Sequence, residues 1–219
     1  MAHTFVVGAD LFEFADTNWG LIKRKTANQI SNGVASDGGG EYWPDTEQSY
    51  DEKQEITLLY RAKVKDDALP VALSLGLACT SGYIPLSIKI NTKGGNSPGH
   101  AEIEITGHKH GASTHEVNSI DVSVDVDGWG ATDFCSLAPD DGCQSGSWSA
   151  SINHKDANTK KGDFLCGRSQ GCKIEVSGQY ISDTAPALAA DLTDDGSDLE
   201  DGDDFWTAAL KGHKYLRPA

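Results

Sequence analysis

Four stretches of this chain place an apolar residue at every second position, and that period of two, set by the pleat of a β-strand, constrains the fold more than any other feature. Ile56, Leu58, Tyr60, Ala62 and Val64 share one face, against Glu55, Thr57, Arg61 and Lys63 on the other. Val122, Val124 and Val126 alternate with Asp121, Ser123, Asp125 and Asp127, Ile103 and Ile105 with Glu102, Glu104 and Thr106, and Ile174 and Val176 with Lys173, Glu175 and Ser177. Each stretch reads as a strand that is buried on one side and wet on the other, the pattern of antiparallel sheets. Turn clusters at Gly94 to Gly99 and Ala138 to Gly142 have the spacing of hairpins, not of βαβ crossovers. The expected fold is mainly β, an antiparallel β-sandwich or split barrel with one flanking helix. That helix is placed at about 204–212, where Asp203 or Asp204 would cap it and Gly212 would stop it, after a short turn around Pro186 to Ala190.

A chain of 219 residues can bury one sizeable core, so a single domain is expected over 1–219. A repeat divides it. Superposing 79–91 on 143–155 at an offset of 64 gives five identities: Cys79 on Cys143, Ser81 on Ser145, Gly82 on Gly146, Ser87 on Ser151 and Ile88 on Ile152. Ile103-Glu104-Ile105-Thr106-Gly107 then matches Ile174-Glu175-Val176-Ser177-Gly178 at an offset of 71. Two related β units follow, about 53–110 and about 115–181, ahead of an acidic segment at 183–204.

Charge and motifs narrow the function. With 33 acidic and 18 basic side chains the net charge is −15, which repels phosphate backbones and disfavours a nucleic-acid binder. There is no apolar run long enough to span a bilayer, and Met1 to Gly8 lacks the basic and apolar regions of a cleaved signal. No G-x-S-x-G elbow, H-E-x-x-H or phosphate loop occurs, so the chain is expected not to be an enzyme and to need no metal or cofactor.

Three groups carry residue types that bind metals. His108 and His110 point the same way from a strand end, with His100 and His115 near in sequence, yet no carboxylate stands at a recognisable spacing, so surface histidines are expected. Nine carboxylates and no lysine or arginine lie between Asp183 and Asp204. They read as a solvated loop rather than a cation site built from Asp194, Asp195, Ser197, Asp198 and Glu200 around Gly196, whose order differs from a calcium loop. Cys135, Cys143, Cys166 and Cys172 lie near one another in sequence, and free or opportunistically paired thiols are expected over two disulfides or a four-thiolate zinc site. The glycine-rich run from Ser31 to Ser49, with Gly38, Gly39, Gly40, Tyr42 and Trp43, is too long for an ordinary turn and reads as a contact arm.

The two-part β pattern, the run Cys79 to Gly107 and the run Ser147 to Gly178 together resemble the tail-tube proteins of long-tailed bacteriophages and the related tube subunits of injection machines. The resemblance covers about residues 53–181 and the short C-terminal helix with Trp206. It implies a structural virion protein of the tail, assembled in the host cytoplasm, whose hexameric rings stack into a tube. Its partners would be further copies of itself and other tail proteins. DNA would pass through an acidic lumen without specific binding, with Lys89, Glu102 and Glu104 as lining candidates and the 38–43 arm touching the next ring. The cysteine-rich second half and the acidic segment depart from that pattern and leave main tube, minor tail part and baseplate ring as alternatives. Five tryptophans, at 19, 43, 129, 148 and 206, support a rival reading, a carbohydrate-binding β-sandwich whose exposed rings stack on sugars.

Overall fold

The computed structural model describes residues 9–32, 50–64, 69–92, 100–110, 118–126, 142–158 and 164–217. They form eleven strands: β1 (Trp19–Asn32), β2 (Tyr50–Ala62), β3 (Leu69–Leu75), β4 (Ile84–Thr92), β5 (Glu102–His110), β6 (Ile120–Val126), β7 (Cys143–Asn158), β8 (Phe164–Ser182), β9 (Thr193–Asp194), β10 (Asp198–Asp201) and β11 (Trp206–Leu216). Nine of them make one sheet in the order β1-β2-β5-β4-β7-β8-β11-β10, with β9 also paired to β11, while β3 and β6 make a second sheet. Every pairing is antiparallel. The expected mainly β, antiparallel, sandwich-like architecture is what the chain adopts.

The alternation seen in the sequence sets which face turns inward. Ile56, Leu58 and Tyr60 of β2, Ile88 and Ile90 of β4, Ile103 and Ile105 of β5, Trp148 and Ala150 of β7, and Ile174 and Val176 of β8 are all buried. Leu69, Val71 and Leu75 of β3 and Ile120, Val122, Val124 and Val126 of β6 belong to the same cluster, so the small sheet packs on the large one around one core. Each such aliphatic, fully buried, stabilises the fold by about 1.5–3 kcal/mol. The segment before β1 closes one side. Phe12 and Trp19 are buried in the cluster, and the Tyr60 hydroxyl donates to Asp10 Oδ1 at 2.5 Å. Phe12 lies over Gly107, where an added Cβ would meet its ring at 2.6 Å and the Ile84 carbonyl oxygen at 2.3 Å. Val64 does not join this face: it follows the end of β2 and is exposed.

The C-terminal helix expected at about 204–212 is not there. Trp206–Leu216 is a strand that pairs with β8 over its whole length, from Trp206 opposite Ser182 to Leu216 opposite Cys172. Ala208, Leu210 and Gly212 alternate inward, a period of two carried by residues too small to stand out beside the helix-forming run Thr-Ala-Ala-Leu-Lys. Eleven cross-strand partners on β8 outweigh a local preference of a few tenths of a kcal/mol per residue.

The hairpins β4–β5 and β7–β8 lie side by side, joined by the β4–β7 ladder. That ladder sets Ser87 opposite Ser151, the two residues that the offset of 64 superposes. The offset of 71 does not carry over to the partner strands. Ile88 pairs with Ile105 and its counterpart Ile152 pairs with Cys172, so Ile105 corresponds to Cys172 and not to Val176.

Candidate functional site

The outer face of the large sheet carries a cross-strand row that is polar except at Leu59. From strand to strand, Lys23, Leu59, Glu104, Lys89, Ser149, Glu175 and His213 are register partners. Lys89 and Glu104 are direct neighbours, and Glu102 shares their face, so the three lining candidates do lie together. The Arg61 guanidinium donates to Glu102 at 2.6 Å and Lys25 pairs with Glu104, which leaves this row balanced in charge. The arm residues Gly38, Gly39, Gly40, Tyr42 and Trp43 fall outside the described residues.

The negative surplus gathers at one edge of the sheet. β9 and β10 both pair with β11 on the side away from β8 and form one interrupted edge strand, with Asp195 N–H donating to the Lys211 carbonyl between them. Asp194 holds the interruption, its Oδ1 accepting the backbone N–H of Gly196 at 3.0 Å and of Ser197 at 2.8 Å. The Ser197 hydroxyl, donating to the same oxygen at 2.7 Å, and after it these backbone bonds hold the Asp194 carboxyl below the ordinary range. The segment is therefore an ordered edge in part, not only a solvated loop, and its carboxylates do not gather as cation ligands. Asp198, Leu199, Glu200 and Asp201 are all exposed. The opposite edge is β1, which among the described residues pairs only with β2 and displays Ile22, Lys23 and Lys25.

A second constellation lies at the end of β5. The β2–β5 register runs without a shift, so His108 and His110 share the face of Glu102, Glu104 and Thr106, beside Glu55 and Lys53 of β2. They are not surface residues: His108 is 0% and His110 3% exposed. What buries them is β7. The β4–β7 ladder stops at Ser87 and Ser151, and beyond that point β7 brings His154 and Asp156 against the β5 end. The His108 ring lies 4.7 Å from that of His110 and 5.0 Å from that of His154. Asp156 Oδ1 is 3.5 Å from His110 Nε2 and 2.9 Å from His154 Nε2, while its Oδ2 is 3.2 Å from Lys53 Nζ. Gly167, opposite Asp156 on β8, makes room for the His154 ring, since a Cβ there would sit 2.5 Å from Nε2.

The electrostatics follow from this packing. Burial, with the Lys53 ammonium beside it, pushes the His108 imidazole down to about 3, so the ring is neutral. Burial alone would raise Asp156, but hydrogen bonding to His110 and His154 and the charge of Lys53 hold it well below the usual carboxylate range. The sequence did hold a sign of this cluster. His108-Lys109-His110 and His154-Lys155-Asp156 are matching i, i+2 pairs, each of which a strand presents on one face. The carboxylate missing near His108 in sequence is Asp156, which follows His110 by 46 residues and comes from another strand. His100 is half-buried and outside the cluster, and His115 lies outside the described residues.

Cys143, Cys166 and Cys172 do not converge, and Cys135 lies outside the described residues. Cys143 is opposite Tyr180, Cys172 opposite Ile152 and Cys166 opposite Ala157. At about 3.3 Å per residue these positions lie tens of ångströms to well over ten ångströms apart along the hairpin, beyond the reach of a disulfide or a shared zinc. Burial pushes the Cys79 and Cys172 thiols up to about 11. Trp19 and Trp148 are spent on the core, Trp206 is half-buried, and Trp43 and Trp129 fall outside the described residues. No helix among the described residues is long and apolar enough to cross a membrane. No family model, curated protein or solved structure matches the chain.

Proposed function

We propose that this chain is a structural subunit that assembles with copies of itself by joining sheet edges, a ring-forming virion protein of the tail-tube kind its sequence resembles. The observation that carries the reading is the unlike character of the two edges of the nine-stranded sheet. One edge offers Lys23 beside an exposed Ile22, with Lys25 nearby but paired within the chain to Glu104, the other Asp198, Glu200 and Asp201 around an exposed Leu199. Opposite charge and matched apolar residues favour β1 of one copy against β10 of the next. Strand addition would continue the ladder across the contact and satisfy both edges, which are otherwise a liability.

A contact between two different surfaces is head to tail, and repetition closes it into a ring or runs it out as a filament. The polar row with Lys89, Glu102 and Glu104 would then form one wall of the ring. The surplus of negative charge suits a passage for DNA, since it opposes adhesion of phosphates to the assembled tube.

Sedimentation velocity and negative-stain electron microscopy of the untagged protein test this directly. Rings or filaments that grow with protein concentration are the expected result. Uniform monomers up to tens of micromolar would overturn it, and monomers that also bind a polysaccharide would transfer the assignment to the carbohydrate-binding reading.

A further inference from the structure

The histidine cluster plays no part in edge-to-edge assembly, and its construction is unusual for a polar group at this depth. His108 is fully buried, and neither of its ring nitrogens has a hydrogen-bond partner; His154 Nδ1 is likewise buried without one. A buried polar atom left unpaired costs about 1–3 kcal/mol, so such an arrangement calls for a ligand. Three imidazoles and one carboxylate are the donor set of a borderline divalent metal.

We propose that His108, His110, His154 and Asp156 bind one divalent transition-metal ion, zinc by ligand class, in a closed structural site that pins the end of β5 to the far half of β7. The spacing is near what such a site needs. Tetrahedral ligands at about 2.0–2.1 Å from a metal stand about 3.3 Å from one another. Asp156 Oδ1 is 3.5 Å from His110 Nε2 and 2.9 Å from His154 Nε2, and the donor atoms of His108, His110 and Asp156 all lie within 4.8 Å of one another. His154 stands outside that trio of mutually close donors, at 2.9 Å from Asp156 Oδ1, so its ring would have to turn toward the other two imidazoles to supply the fourth ligand.

The two carboxylate oxygens divide the work. Oδ1 faces the histidines and is the ligand, and Oδ2 faces Lys53, which orients the carboxylate from outside as second partners of metal ligands do. Gly167 belongs to the same design, because any side chain there would drive the His154 ring off its position. With all four positions filled by protein the ion has no open face for substrate, which marks the site as structural.

The test is elemental analysis of untagged protein grown with zinc, followed by chelation, reloading with Co2+ and melting of each form. Near one equivalent of metal per chain, visible d–d bands of a tetrahedral cobalt site, and a melting temperature that falls on chelation and recovers with Zn2+ are expected. His110→Ala and Asp156→Asn should lose the metal and the chelator response, and Lys53→Met should weaken binding about 10- to 100-fold. Metal-free wild-type protein whose melting is unchanged by Zn2+ would overturn the proposal. So would folded His110→Ala and Asp156→Asn variants that bind as the wild type does. Should those variants fail to fold, the wild-type cobalt spectrum decides: the absence of tetrahedral bands refutes the site.

Discussion

The edge contact can be weakened by a calculable amount. Leu199 and Ile22 are already about half covered, at 47% and 44% exposure, so burying the remainder across a contact yields about 1 kcal/mol each, half the value of a fully buried aliphatic. The four residues of β10 would add a short ladder, with each hydrogen bond contributing about 1 kcal/mol net. Each exposed charge pair contributes about 0.2–1 kcal/mol, and reversing one member replaces attraction with repulsion of similar size. The double substitution Leu199→Lys, Glu200→Lys therefore costs roughly 2–3 kcal/mol per contact, about 30- to 150-fold in each pairwise constant. Ser123→Lys, on the exposed face of β6, adds a positive charge away from both edges and serves as control. Sedimentation velocity over a concentration series reads the shift, and moderate salt should reduce wild-type assembly in the same direction. Pairing Glu200→Lys with Lys23→Glu should recover part of the loss. Assembly of the double variant at the wild-type concentration, with Ser123→Lys indistinguishable from both, would refute the reasoning.

Other outcomes follow from the core and its neighbours. Tyr60→Phe removes the hydrogen bond to Asp10 and should lower stability by about 1–2 kcal/mol in a denaturant titration, with little change in assembly. Gly107→Ala forces a methyl group onto the Ile84 carbonyl and the Phe12 ring and should cost at least about 2 kcal/mol, seen as a lower melting temperature. The thiols of Cys79 and Cys172 ionise near 9 when unfolded and near 11 in the fold. Their contribution is thus whole below pH 9 and lost as pH rises through 11, and a disulfide reagent at pH 8 should label both slowly until the protein is unfolded. Amide exchange distinguishes strand from helix at the C-terminal end: the amides of Trp206–Leu216 should lose protection together with those of β8, because the two strands share one ladder.

Which face of each strand is buried was legible in the amino-acid sequence, because the pleat fixes a period of two and apolar side chains gain only by facing inward. Ile56, Leu58, Ile103, Ile105, Val122, Val124, Ile174 and Val176 all follow it, and Lys89, Glu102 and Glu104 share the wet face for the same reason. Periodicity says nothing about partners. That β3 pairs with β6, that Trp206–Leu216 lies along β8 instead of coiling, and that β7 leaves β4 after Ser151 are outcomes of long-range pairing. Local preference at 204–212 favoured a helix, and it lost to eleven cross-strand partners. The histidine cluster shows the division most clearly: two i, i+2 pairs were written in the chain, but only the divergence of β7 from β4 brought Asp156 to His110 and took both histidines of β5 out of water.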